Sequence, residues 1–331
     1  MKKLAILILL GVFPMLLHAI GEDSLANDYN SLIAPYIRAY SVLGEVKVAD
    51  GSILKWQKTS STDGQKILIL LGGHTESYVK YAEFLYDLRD MGLTIYALDQ
   101  RGQGFSSRML PDREKDYVDD HEKYVTDLEQ FITDVVRPET DAKVFLLGHS
   151  LGGAVAAAYA EKHPSQLSGL ILSSPYLGSK AGPLAMFILR ALDFFGMGKE
   201  YVPGGGPFSI VPFEKNKETH SRVRHERKMR DYVDFPAIRL GYATNHLVTQ
   251  LEKMGKQIRK NADKIASPIL VLQAEKDEIA DSAAQNEFCT NSQSCEKLIL
   301  LGAFHEVLIE TDEIRNIALS KIRSFIQRLS S

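Results

Sequence analysis

Short runs in which nearly every residue is apolar recur along the chain, separated by stretches with helical spacing. Residues 67–71, 94–98, 144–147, 167–172, 269–273 and 298–301 are such runs, and they predict strands buried on both faces. Between them, residues 78–91, 119–136 and 151–162 predict helices, and 310–329 a closing helix. Two further runs, 45–49 and 53–58, flank Asp50-Gly51 and predict a hairpin. Strand alternating with helix predicts an α/β chain with a doubly wound, mostly parallel sheet. The rhythm stops at about residue 176 and resumes at about 259. This stretch predicts an insertion, or lid, across the carboxyl ends of the strands, where open α/β sheets bind ligands.

The first residues have a different pattern. Lys2 and Lys3 precede an apolar run over 4–17, and Ala19 comes just before the polar Gly21-Glu22-Asp23. A basic head, a short apolar run and a small residue form an export-signal layout, with cleavage expected after Ala19. The run is too short to span a bilayer comfortably, and an uncleaved anchor is the alternative. The expected organisation is a signal at 1–19 and a single domain over 20–331. The expected location is exported, periplasmic or secreted, with membrane association if the N-terminal segment stays attached.

Composition narrows the function classes. The 331 residues are 45% hydrophobic and 24% charged, as in a globular protein. The net charge is −3, and loss of Lys2 and Lys3 with the leader takes it to −5. That balance does not suit a nucleic-acid partner. Two cysteines, Cys289 and Cys295, cannot build a four-cysteine metal site. In an oxidising compartment they can pair or remain two unrelated small residues.

The chemistry centres on Gly148-His149-Ser150-Leu151-Gly152, which follows an apolar strand and opens an Ala-rich helix. A G-x-S-x-G in that setting is a nucleophile elbow. Gly148 and Gly152 let strand and helix approach closely, and Ser150 is the nucleophile. A serine hydroxyl needs a base, and the base needs an acid to orient it. This fold supplies them in the order serine, acid, histidine. His305 is the one histidine downstream of the insertion. His220, His225 and His246 lie inside it and are expected to make surface or pocket contacts. Asp277 is favoured as the acid, with Glu275 and Asp281 as alternatives; Asp281 is also placed to cap a helix. The expected oxyanion donors are the backbone N–H groups of Leu151 and His74, the latter in a loop loosened by Gly73. Asp99 and Arg101 are expected to brace the loop beneath the elbow. No cofactor and no metal are implied.

These motifs resemble those of α/β-hydrolases of the monoacylglycerol lipase and lysophospholipase branch, related to serine aminopeptidase-type hydrolases. Gly73, Glu76 and Tyr81 fit that family's HG-x-x-E loop and the tyrosine after it, although Gly72 replaces the loop histidine. Asp99, Arg101, Gly102, Gly104 and Ser106 fit its D-x-RG-x-G-x-S loop. Asp116-Tyr117-Val118-Asp119, Gly148–Gly153, Asp277 and Gly302–Glu306 fit further stretches. Thr219-His220-Ser221-Arg222 resembles the insertion of bacterial lysophospholipases. The resemblance implies hydrolysis of one acyl ester on a glycerol or glycerophosphate, hence a small lipid ester as substrate. The alternatives are another carboxylesterase, an aminopeptidase anchoring its substrate amine on Glu214 or Glu218, and a non-catalytic lipid-binding scaffold. Arg222, Arg224 and Arg227, in a basic cluster with Lys228 and Arg230, are read as headgroup contacts or as a solvated helix face. The apolar residues 184–195 read as buried or lipid-facing. Oligomeric state is not legible.

Overall fold

The computed structural model describes residues 19–60, 65–137 and 141–330. The leader expected at 1–19 lies outside them except for Ala19. Eight strands form one sheet: β1 (Ser41–Lys47), β2 (Ile53–Ser60), β3 (Lys66–Leu71), β4 (Thr94–Asp99), β5 (Lys143–His149), β6 (Gly169–Ser173), β7 (Ile269–Ala274) and β8 (Cys295–Leu300). Their order is β1-β2-β4-β3-β5-β6-β7-β8. The pairs β1–β2 and β2–β4 are antiparallel and all the others parallel. The expected α/β architecture is therefore present. The central strands are buried on both faces, which explains their unbroken apolar sequence.

Ten α-helices accompany them among the described residues: α1 (Glu22–Asp28), α2 (Ala34–Tyr40), α3 (Ala82–Asp87), α4 (Glu122–Phe131), α5 (Leu151–Lys162), α6 (Pro183–Leu192), α7 (Arg222–Asp234), α8 (Asn245–Lys260), α9 (Ser282–Asn291) and α10 (Asp312–Ser330). The helix expected over 78–91 is shorter. It opens as a 3-10 turn, Tyr78–Tyr81, and α3 ends at Asp87. The expected 119–136 helix is α4 followed by a wide turn over Ile132–Val136. Its C-cap, Arg137, takes a left-handed conformation.

Between β6 and β7 there is no strand, and α6, α7 and α8 fill the interval. The sequence reading placed this whole stretch in one insertion. In the structure, α8 buries Leu247, Leu251, Met254 and Ile258 in the main core with α5. That alternation of four- and three-residue spacing is the stripe of a helix packed on the sheet layer. The segment before α8 contributes the residues above the strand ends. Cys289 and Cys295 form a disulfide joining α9 to β8. Among the described residues no helix is long and apolar enough to cross a membrane.

Candidate active site

Strand β5 delivers Ser150 to the start of α5 through a tight turn. Ser150 has φ +49° and ψ −115°, a conformation that non-glycine residues rarely adopt. The turn is close because two glycines allow it. A Cβ on Gly148 would lie 2.2 Å from the Gly152 carbonyl oxygen, and one on Gly152 would lie 2.4 Å from that of Leu71. The strain is held by hydrogen bonds from the Ser150 N–H to the Ser173 carbonyl (3.0 Å) and from the Tyr176 N–H to the Ser150 carbonyl (2.9 Å).

Loops after β7 and β8 bring two more groups to Ser150. His305 Nε2 lies 2.9 Å from Ser150 Oγ, and His305 Nδ1 lies 2.7 Å from Asp277 Oδ2. The other oxygen of Asp277 accepts N–H bonds from Ile279 (2.8 Å) and Ala280 (3.0 Å). Burial alone would raise the Asp277 pKa, but its hydrogen bond to His305 and these amides hold it below the usual carboxylate value. Burial alone would lower the His305 pKa. The hydrogen bond and charge of Asp277, with Glu306 and Glu218 adding, leave it above 6.5. The alternative acids are engaged elsewhere. Glu275 accepts the Gly302 N–H and Asp281 caps α9.

The loop after β3 faces the same point. His74 lines the cavity over Ser150. Neither the His74 nor the Leu151 backbone N–H meets a protein acceptor among the described residues. The His74 side chain is turned to Asp116 (3.5 Å), and burial lowers its pKa to about 4. Gly73 is packed between His149 and Ser150, and its N–H donates to Glu76 Oε2 at 2.7 Å.

Glu76 belongs to a buried polar network that the sequence reading missed. Lys80 donates to Glu76 Oε1 (2.6 Å) and to Glu306, and Lys228 donates to Glu306 Oε1 (2.9 Å) and Glu218 Oε2 (2.7 Å). Tyr81 O–H also donates to Glu76. Burial would raise the Glu306 pKa, but Lys228 and Lys80 hold it well down. Burial, and then the Glu306 charge, push the Glu76 pKa up. Glu76, His149 and Glu306 place potential metal-ligand atoms within 4.8 Å of one another. The Lys80 ammonium already bonds both carboxylates, so a metal ion would have to displace it.

Of the three arginines, Arg224 does not take the expected role. Arg224 is 2% exposed and cannot meet a headgroup. Its guanidinium is spent on Glu83, Asp312 and the carbonyls of Glu310 and Ile20. Arg222 pairs with Glu214 and Glu226, and Arg227 with Asp231 and Asp234. None of the three lines the cavity, whereas Lys228 does. Of the insertion histidines, His220 stacks on Phe304 (3.8 Å) and bonds Glu310, bracing the loop that carries His305. His225 meets the Val211 carbonyl and His246 meets Asp193. Asp99 and Arg101 do brace their loop. Asp99 accepts from Ser77, Tyr78 and Phe105, and Arg101 pairs with Asp127 and Asp50.

The cavity measures about 570 Å³. Ser150 and His305 lie in its floor, with Phe208, Val211, Tyr232, Leu240 and Ile279 among its walls. A cavity of that size, largely apolar in surface and edged by charged groups such as Lys228, above an activated hydroxyl suits an acyl chain.

Residues 62–312 match the family model described as serine aminopeptidase, S33. Lysophospholipase L2 of Escherichia coli K12 is 34% identical over 284 residues, covering 80% of this chain and 82% of that protein. Monoglyceride lipase of Mus musculus is 25% identical, covering 87% and 91%. Among solved structures, a soluble variant of monoglyceride lipase from Saccharomyces cerevisiae superposes with a TM-score of 0.68 at 21% identity, covering 87% of this chain and 96% of that one.

Proposed function

The chain belongs to the serine aminopeptidase S33 family of hydrolases, and from that premise we propose that it hydrolyses the single acyl ester of a lysophospholipid or monoacylglycerol. The observation that carries this reading is the hydrogen-bonded chain Ser150–His305–Asp277 beneath a largely apolar cavity.

Ser150 Oγ attacks the acyl carbonyl as His305 Nε2 takes its proton. Asp277 fixes the His305 ring and stabilises the imidazolium that forms. The N–H groups of His74 and Leu151 hold the oxyanion. Collapse of this intermediate breaks the ester bond, and His305 protonates the departing glycerol oxygen. Water, deprotonated by His305, then attacks the acyl-serine, and the fatty acid leaves. An aminopeptidase would need a free acid in the cavity for the substrate ammonium. Glu218 reaches the cavity but is paired with Lys228, and Glu214 pairs with Arg222. In a panel of lysophosphatidylcholine, monoolein and aminoacyl amides, release from the amides alone would overturn the ester reading.

The acid limb of the rate profile is a second check. His305 must be neutral to accept the proton, so kcat/KM falls as pH drops through its pKa. With that pKa raised, the half-maximal point lies above 6.5. In Asp277→Asn it moves to lower pH, because the carboxylate that favours the imidazolium is gone. A limb that Asp277→Asn leaves in place assigns it to another group.

The insertion also supports contact with a lipid surface. Phe194 and Phe195 are 85% and 78% exposed, and Leu184 and Phe187 are similarly bare on α6. Apolar side chains left in water gain about 1.5–3 kcal/mol each on burial. The variant Phe187→Ser/Phe194→Ser/Phe195→Ser is expected to bind phospholipid vesicles at least about tenfold more weakly in co-sedimentation. Unchanged binding would exclude this surface. Export to the periplasm or medium completes the proposed setting.

A further inference from the structure

At the other end of the chain, the first residue expected after the leader is buried among charges. Ile20 is 8% exposed, and its N–H donates to Asp87 Oδ1 at 3.2 Å. Asp87 is itself 3% exposed, and its second oxygen accepts from Arg315 Nη2 at 2.7 Å. The Ile20 carbonyl accepts from Arg224 Nη2 at 3.0 Å. Arg224 also pairs with Glu83 and Asp312, and Arg315 lies 3.4 Å from Glu83. The side chain of Glu22 stands at the rim, 4.0 Å from Arg224.

The charges in this cluster do not balance. Glu83 and Asp87 are buried against the guanidinium groups of Arg224 and Arg315, and the part-exposed Asp312 and Glu22 add two further carboxylates at the rim. An excess of acids at the edge of a buried ion-pair cluster favours a further cation inside it. The uncharged amide of Ile20 sits against Asp87, at the place such a cation would occupy.

We propose that cleavage of the Ala19–Ile20 bond during export converts the Ile20 nitrogen into an α-ammonium that forms a buried ion pair with Asp87. A leader peptidase supplies the catalysis and water the atoms. Ala19 departs as a carboxylate, and the Ile20 amine takes up a proton. An α-amino group with an ordinary pKa of about 8 is charged at neutral pH, and a carboxylate partner raises that value. Cleavage precedes folding, because Ile20 is inaccessible in the folded chain.

Maturation thereby reaches the cavity. Arg224 stands on α7, the helix that also presents Lys228 and Tyr232 to the cavity. Arg224 holds the Ile20 carbonyl, and Arg315 bridges Asp87 to the Glu83 that Arg224 also pairs with, so fixing the new terminus anchors α7. The proposal is independent of the hydrolytic reading, since none of its groups touches Ser150.

The intact mass of the exported full-length chain should place the new terminus at Ile20. A retained leader, or a start at another residue, overturns the processing site. The Ile20 form is then compared with a form that keeps Ala19, released from a cleavable fusion. The Ile20 form is expected to melt about 3–6 °C higher, and Asp87→Asn should abolish the difference. Equal melting of the two forms overturns the ion pair. Reductive methylation gives a readout that does not require Asp87→Asn to fold. The Ile20 amine should resist modification in the native protein and react in urea, and rapid native modification overturns the pair.

Discussion

Ser150→Ala should abolish fatty-acid release from lysophosphatidylcholine and monoolein, with a loss on the order of 10⁴-fold or more. The loss is large because alanine leaves His305 with no hydroxyl to deprotonate, and no other serine in the described structure approaches that imidazole. Donors at His74 and Leu151 would still polarise a bound carbonyl, so a small residual rate above water is expected. Labelling by a fluorophosphonate should vanish with the activity. Strain adds a control that separates chemistry from folding. Alanine inherits the φ of +49°, whereas glycine adopts it freely. Ser150→Gly should therefore be equally inactive yet melt above Ser150→Ala. Substantial turnover by either variant would mean that Ser150 is not the nucleophile.

Lys80→Met should cost about 3–5 kcal/mol of stability in urea unfolding, because it strips a buried carboxylate pair of its shared cation. The Lys80 side chain is only 5% exposed. Activity should fall as well. Glu76 receives the Gly73 N–H, so disturbing Glu76 misaims the loop that carries the His74 donor. Adding Glu76→Gln removes the carboxylate left without a cation, since Glu306 keeps Lys228, and should recover part of the stability. A loss below about 1 kcal/mol, or no recovery, would show that the bridge is not what holds the two loops.

The parts of this molecule legible from sequence are those that repeat a local pattern. The central strands announced themselves because burial on both faces leaves no polar position. Ser150 was legible because a strand, a glycine-flanked serine and a helix stand next to one another. Asp277 was favoured over Glu275 and Asp281 by its place after β7, and its contacts separate it from both. The Lys80–Glu306–Lys228 network was not legible, since its members lie on three distant segments and a lone charge reads as solvated. Arg224 was misread for a subtler reason. The cluster from Arg222 to Arg230 winds around a helix, so neighbours in sequence face opposite ways. Arg224, Lys228, Asp231 and Tyr232 follow helical spacing, and all four are buried. That inward stripe of charge was the available signal. The α1–α2 segment, packed through Leu25 and Ile33, also escaped the sequence reading.

The two walls of the cavity differ in how they are attached, and this sets an order of opening in time. Helix α7 is fastened through Arg224 to Glu83, through Lys228 to Glu306 and through the Tyr232 hydroxyl to the Thr75 carbonyl. The neighbouring wall, which rests on Tyr232 through Phe208, reaches the cavity through Pro207 and Phe208 after Gly204 and Gly206, around which there is open space. Backbone amides of α7 should therefore exchange with solvent deuterium only in large, rare openings, whereas those of residues 204–217 exchange in small, frequent ones. Entry and exit of a lipid chain then draw on the fast fluctuation, while the loops holding Ser150 and His305 stay registered.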